Sequence, residues 1–316
     1  MQHAIALARS QGDRIGEIVL LNNFAFSLRD MGRVAAALEP MREAYSLKQK
    51  YPELRTGALF VHVQFGNMHR SLGDYALALE FLQTGLTVVD GYSPVFTAAV
   101  HNSLAHLFLD LGQSARSQQH LRRSLAVADT LPLVRAMSHL LEARLALDHC
   151  QPRVAAAALQ AAKAYIIVST RYAIRGQADL LGARLLEPDA AYRCATEVAQ
   201  QAGRLQMHGL RMSALAWAGR HALACRLPAA AAAHAVEALS LWPDFAPDDS
   251  SIAEVWLAAV DCLTAAGDPR AAGVLEAAAG WIAATALDRV PEPFRDSFLH
   301  RHHANRALMV RATSQA

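Results

Sequence analysis

Three sets of side chains recur at helical spacing in the first third of the chain: Asn22, Phe26 and Arg29, then Asn67 and Arg70, then Asn102 and His106. Residues three, four or seven apart share one face of an α-helix, so each set can present its groups together. An amide offers both a donor and an acceptor, and a guanidinium offers a charged fork. That chemistry suits recognition of an extended peptide backbone, a carboxylate or a phosphate. The signatures of catalysis are missing from the sequence. It has no GxxxxGK[ST] phosphate loop, no GxGxxG opening a βαβ unit, no GxSxG elbow and no HExxH pair; Gly12, Gly16, Gly176 and Gly182 read as isolated helix or turn glycines. His300, His302 and His303 crowd the carboxyl-terminal tail, and His62/His69 and His101/His106 can pair on a hairpin surface. None has the i,i+4 spacing of a helical metal pair, and carboxylates are scarce beside the tail histidines. No catalytic residue, metal or cofactor is expected.

The elements that carry these side chains are repeated. NNFAFSLRDMGRVAAAL at 22–38, FGNMHRSLGDYALAL at 65–79 and SLAHLFLDLGQSARSQ at 103–118 keep Gly32, Gly73 and Gly112 in register, 41 and then 39 residues apart. Recurrence at that length belongs to stacked helical hairpins, none of which can bury its apolar face alone. In the first unit the spacing predicts helices over about 18–31 and 34–48, with Gly32 ending the first and Tyr51-Pro52 closing the second. Leu21, Phe24, Ala25 and Leu28 form one buried face, answered by Ala37, Leu38, Met41 and Ala44. Ser117 and Ser124 stand in the third unit where the first has alanine. The stretch AIALARSQGDRIGE has the spacing of a second hairpin helix without its first partner, so Met1 is expected to begin a piece of a longer protein.

Further hairpins are expected over 133–163, 172–202 and 210–239, with turns at CQP 150–152, at EPD 187–189 and around Pro228. The full pattern returns at 255–281 with Gly267. This makes residues 1–281 one continuous array, degenerate at about 130–250, followed by a terminal helical cap or docking segment at 282–316. LWPDFAPDDSS at 241–251 reads as a long inter-repeat loop, with Asp249 or Ser250 capping the next helix. Trp242 and Phe245 in that loop, and Phe294 and Phe298 in the tail, are candidate docking residues.

Hydrophobic residues make up 53% of the 316-residue chain and charged residues 18%, a balance for closely packed helices. A formal charge of +2 argues against a general nucleic-acid surface. No run reaches the 18 apolar residues of a membrane span, and the amino terminus lacks an export pattern, so a cytoplasmic protein without membrane contact is expected. Cys150, Cys194, Cys225 and Cys262 are far apart and read as reduced helix residues.

The units resemble tetratricopeptide repeats. Phe24, Ala25, Leu28, Gly32 and Ala37 fit the family's large, small, glycine and alanine roles, as do Phe65, Gly66, Gly73 and Ala78; Leu104, Ala105, Phe108 and Gly112; and Trp256, Leu263, Gly267, Ala272 and Ala279. His69 and Ser117 depart from the pattern. The long interval, and a tail in which Val290, Pro291, Phe294, Arg295, Ser297, Phe298, Leu299, Arg301, Asn305 and Arg306 match a VPxxFRxSFLxR segment and a final Asn-Arg helix, resemble the carboxyl-terminal regions of large bacterial ATP-binding signal-transducing or transcriptional regulators. That resemblance implies an all-α, right-handed superhelical solenoid of seven or eight hairpins. It also implies a noncatalytic regulatory domain that recognises a peptide, a small effector or a neighbouring protein domain and relays its state to an output module. In a longer parent, ATP-binding and output domains would be its neighbours. The alternative is a constitutive scaffold for multiprotein assembly, and an enzyme comes third.

Overall fold

The computed structural model describes residues 1–51, 59–89, 94–127, 131–166, 172–248 and 250–315. Among them the chain is all-α, with no strand. A lone helix α1 (Gln2–Gln11) precedes seven hairpins: α2 (Arg14–Asp30) with α3 (Val34–Lys50), α4 (Leu59–Ser71) with α5 (Tyr75–Val89), α6 (Pro94–Asp110) with α7 (Ser114–Ala126), α8 (Pro132–Asp148) with α9 (Pro152–Ile166), α10 (Tyr172–Ala183) with α11 (Pro188–Arg204), α12 (His208–Ala224) with α13 (Pro228–Ser240), and α14 (Ile252–Ala265) with α15 (Arg270–Asp288). A 3-10 turn (Glu292–Phe294), α16 (Arg295–His300) and α17 (His303–Gln315) follow. The partners within each hairpin pack together, and the first helices α2, α4, α6, α8, α10, α12 and α14 also touch one another in succession.

Local signals explain most helix boundaries. Asp13 caps α2 by accepting from the Gly16 N–H at 2.9 Å, which splits AIALARSQGDRIGE into two helices rather than the single one its spacing suggests. Proline opens α8, α11 and α13, where its missing N–H costs nothing. Ser251 caps α14 in a reciprocal box with Glu254, displacing the expected Ser250, whose hydroxyl lies 2.7 Å from that of Ser213. Asp249 and Pro52 lie outside the described residues. Left-handed residues end the first helices of six hairpins: Gly32, Gly73, Gly112 and Gly267, but also Cys150 and Arg226. Each closes the same pair of bonds, as in Gly112 N–H to the Leu109 carbonyl and Gln113 N–H to the Phe108 carbonyl, and in Cys150 N–H to Leu147 and Gln151 N–H to Ala146. Cys150 follows Gly112 by 38 residues, so the repeat continues through the middle with its glycines replaced.

Packing follows the predicted faces: Leu21, Ala25, Ala37, Met41, Ala44 and Ala78 are buried. Ser124 is buried too, and its hydroxyl donates to the Ala98 carbonyl at 2.8 Å and lies 2.9 Å from that of Ser138. The buried Ser117 hydroxyl has no partner among the described residues, and nothing in the structure explains it.

The last third of the chain packs against the first. One apolar cluster joins Tyr75 and Phe108 to Leu210, Trp256, Ile282 and Phe298. The turn at Gly32 receives a bond from His208 N–H to the Met31 carbonyl at 3.2 Å. Near Gly73, Ala76 N–H donates to the Arg289 carbonyl at 2.8 Å, and the Ser297 hydroxyl donates to the Leu111 carbonyl at 2.7 Å beside Gly112. Residues 282–298 therefore pack into the same core. No helix among the described residues is long and apolar enough to cross a membrane.

Candidate functional site

Helices α2, α4, α6, α8 and α10 each turn one face toward a cavity of about 420 Å³. All of the groove positions read from the sequence, Asn22, Phe26, Arg29, Asn67, Arg70, Asn102 and His106, lie in its wall. Gln64, Ser71 and Ser103 extend this polar side. The side formed by α8 and α10 is largely apolar, with Leu133, Val134, Met137, Leu140, Ala173 and Ile174. Ala246, Pro247 and Asp248 add a third wall from the α13–α14 connection. That connection is more than a spacer. Ala246 N–H donates to the Gly32 carbonyl at 3.0 Å, Asp248 N–H to the Gly209 carbonyl at 3.2 Å, and the Ser213 hydroxyl to the Asp248 carbonyl at 2.7 Å.

The polar side chains are engaged with one another. Arg29 Nη1 donates to Gln64 Oε1 at 2.9 Å, Asn67 Nδ2 to Ser103 Oγ at 3.0 Å, Arg70 Nη1 to Asp110 Oδ2 at 2.8 Å and Asn102 Nδ2 to Ser138 Oγ at 3.0 Å. Each bond joins the first helix of one hairpin to the first helix of the next. A neutral rung contributes about 1 kcal/mol net. Removing Arg70 costs more, about 3–5 kcal/mol, because the Asp110 side chain is only 4% exposed and would be left as an unpaired buried charge. These residues thus set hairpin register as well as wall chemistry.

Charges in the polar wall are compensated. Arg29 also lies 3.6 Å from Asp30, and its guanidinium carbon sits 4.2 Å from the centre of the Phe26 ring. Burial, with Arg70 and Arg144 nearby, holds His106 well below the usual imidazole value, so it is neutral at pH 7. Asn22 Oδ1 is buried and accepts no hydrogen bond from the described residues.

Asp248 also lines a smaller cavity of about 80 Å³ that includes Arg144, Trp217, Glu254 and His303. The Trp217 ring lies near two guanidinium carbons, Arg184 at 4.9 Å and Arg220 at 5.3 Å. Arg144 Nη2 bonds both Glu254 oxygens, at 2.8 and 2.9 Å, and Ser251 N–H donates to Oε2. Burial opposes ionisation of Glu254, yet Arg144, His303 and His302 pull its carboxyl down to about 2. His302 and His303 approach that carboxylate while His300 does not belong to the group. Both carboxylate oxygens are already bonded, so the cluster reads as an ion-pair network joining α8, α14 and the tail.

Two of the four docking candidates are buried within the chain, and the other two, Trp242 and Phe245, are half-buried. Phe294 and Phe298 are 8% and 1% exposed, with ring centres 5.8 Å from Phe108 and 5.4 Å from Tyr75 respectively. Their aromatic surface is core, which corrects the expectation of partner anchors. Trp242 packs in a trio with Trp256 and Trp281 at 5.7 and 6.5 Å, and Phe245 lies 4.2 Å from His208. Sequence reasoning missed the apolar wall and Asp248. The α8 and α10 faces have the spacing of ordinary core, and only their position opposite a polar face distinguishes them.

Neither a protein-family model nor a curated protein matches the chain.

Proposed function

We propose that the chain is a noncatalytic, tetratricopeptide-like regulatory domain of superhelical form whose interior cavity takes a small effector and relays its presence to an output module. The observation that carries this reading is the construction of the cavity: the first helices of five successive hairpins and the 246–248 segment all line it. An occupant touches all of them at once, and the 246–248 segment is bonded to Gly32 and Gly209, where the first hairpin meets the sixth. Binding that differs between two curvatures shifts their populations by its differential affinity. The volume falls within the range of small-molecule sites, about 300–1,000 Å³. A peptide is the poorer fit, since the amides it would use already pair between helices. Burial of Phe294 and Phe298 weakens the constitutive-scaffold alternative, which keeps only the half-buried Trp242 and Phe245 as anchors. The cytoplasm and a longer regulator as parent remain part of this proposal.

Ligand-observed NMR of the intact chain against a panel of small metabolites tests it. Hits should disappear in Val134→Trp, which fills the apolar wall, while the helical circular dichroism persists. Hits that survive Val134→Trp place recognition elsewhere, and a panel without hits, combined with catalytic turnover by the chain, rejects the effector reading.

A further inference from the structure

We propose that His302 makes the terminal helix α17 a proton-operated latch: the neutral imidazole caps the helix and holds it against α14 and α15, and acidification releases it. This inference is independent of the effector cavity. It begins from the place of the side chain. Helix α17 starts at His303, and the His302 carbonyl accepts from Arg306 N–H at 3.0 Å, so His302 is the residue that caps the helix. Its ring does the capping, since Asn305 N–H donates to His302 Nδ1 at 3.4 Å. The usual capping side chains offer an oxygen. A ring nitrogen accepts only while it carries no proton.

Protonation acts in three ways of the same sign. The neutral ring that accepts at Nδ1 carries its hydrogen on Nε2, so the incoming proton takes Nδ1 and abolishes the cap. The new charge sits at the amino end of a helix, which the macrodipole already makes positive. It is also buried, because His302 is only 4% exposed.

The charges around the ring do not absorb that proton. Glu254 on α14 and Asp110 on α6 favour the cation, whereas Arg144 on α8 and neighbouring His303 oppose it. Both carboxylates are already paired, Glu254 with Arg144 and Asp110 with Arg70, so a protonated His302 is an excess charge in a balanced group. Asp261 of α14 pairs with Arg311 of α17 at 2.6 Å. The charged residues of α15, Arg270, Glu276 and Asp288, are exposed, as are Asp296, His300 and Arg301 of α16 and Arg306 of α17. Arg295 of α16 donates to the Leu287 and Val290 carbonyls. Burial outweighs the two carboxylates and holds the imidazole below its ordinary range. An undocked ring takes its proton at the ordinary value of about 6.5, so docking is complete above that pH and weakens as pH falls below it.

Hydrogen exchange of the intact chain, corrected for the intrinsic pH dependence of exchange, tests the latch. Between pH 7.5 and 5.5 the protection of α17 amides should fall by up to about tenfold, the ratio set by protonating an ordinary imidazole. His302→Asn replaces the ring nitrogen with an amide oxygen, a cap that does not titrate, and should hold α17 protection constant over that interval. His303→Gln, which removes the exposed histidine beside it, should leave the pH response in place. Equal protection of α17 at both pH values in the unmodified chain overturns the proposal, and so does an equal fall in His302→Asn. If α17 is unprotected in His302→Asn even at pH 7.5, nitrogen NMR of the unmodified chain decides. His302 Nδ1 must then be unprotonated at pH 7.5 and gain its proton over the interval in which α17 loses protection; any other course overturns the latch.

Discussion

Replacing Gly112 by alanine adds a Cβ that would lie 2.3 Å from the Ser297 carbonyl oxygen and 2.8 Å from His302 N, whereas the same change at Gly267 meets nothing within 4 Å. Both glycines are left-handed, with φ of 70° and 65°. The backbone penalty is therefore common to both, about 1–2 kcal/mol. Only Gly112→Ala also forces the tail away from the third hairpin, adding the about 1–3 kcal/mol typical of overpacking. Cys150 and Arg226 hold the same left-handed position with side chains, so the hairpin turn itself tolerates a Cβ. At about 2 °C per kcal/mol for a chain of this size, Gly267→Ala should lower Tm by about 2–4 °C and Gly112→Ala by about 4–10 °C. Hydrogen exchange supplies the local readout. Amides of α16 and the start of α17 should exchange faster in Gly112→Ala and be unchanged in Gly267→Ala. Equal losses in both variants, with unaltered exchange in the tail, would refute the docking of 295–303 on this turn.

Other perturbations probe separate parts of the structure. Burial and Lys48 push the His62 imidazole down to about 4, so the unfolded chain binds its proton first. Stability should therefore fall as pH drops from about 6.5 toward 4, by up to about 3 kcal/mol, and His62→Phe should flatten that portion of a denaturation-versus-pH curve. The depressed Glu254 carboxyl acts in a lower window: its stabilisation is complete above about pH 4.5, declines as pH falls toward 2, and should be absent from the acid profile of Glu254→Gln. Arg144→Met strands the buried carboxylate and should cost about 3–5 kcal/mol in urea denaturation, with Glu254→Gln added to it recovering a large part. Ala78 is fully buried, and Ala78→Leu should cost about 1–3 kcal/mol without loss of helical circular dichroism; an unchanged midpoint would mean that the repeat phase is wrong.

The hairpins were legible because each depends on neighbours close in sequence. Apolar spacing and turn chemistry within about forty residues marked the hairpin turns near Gly32, Gly73, Gly112, Cys150, Pro188, Pro228 and Gly267. The middle looked degenerate only through its turn residues: Cys150 and Arg226 adopt the conformation that glycine marks elsewhere. Glycine is kept at Gly32, Gly73 and Gly112 for another reason, since a Cβ there would strike Gly209, Trp281 or Ser297. Periodicity cannot reveal contacts of that range. The bond from Ser297 to Leu111 spans 186 residues, and no local spacing encodes it.

The same distinction explains which half of the cavity could be read. Asn22, Arg29, Asn67 and Arg70 were visible because a polar group on the inner face of a helix breaks the apolar pattern around it. Met137 and Ile174 break no pattern. An apolar side chain facing a cavity and one facing a neighbouring helix produce the same periodicity, and three-dimensional structure alone separates them. The polar positions carried a further ambiguity, since an amide aimed inward serves a ligand or the adjoining hairpin equally well. The rungs Asn67–Ser103 and Asn102–Ser138 show the second use: one end of each amide fixes spacing between first helices while the residue remains in the cavity wall. Under the proposed function, an occupant that competes for those amides would alter the spacing between first helices, and recognition and hairpin register would then rest on the same hydrogen bonds.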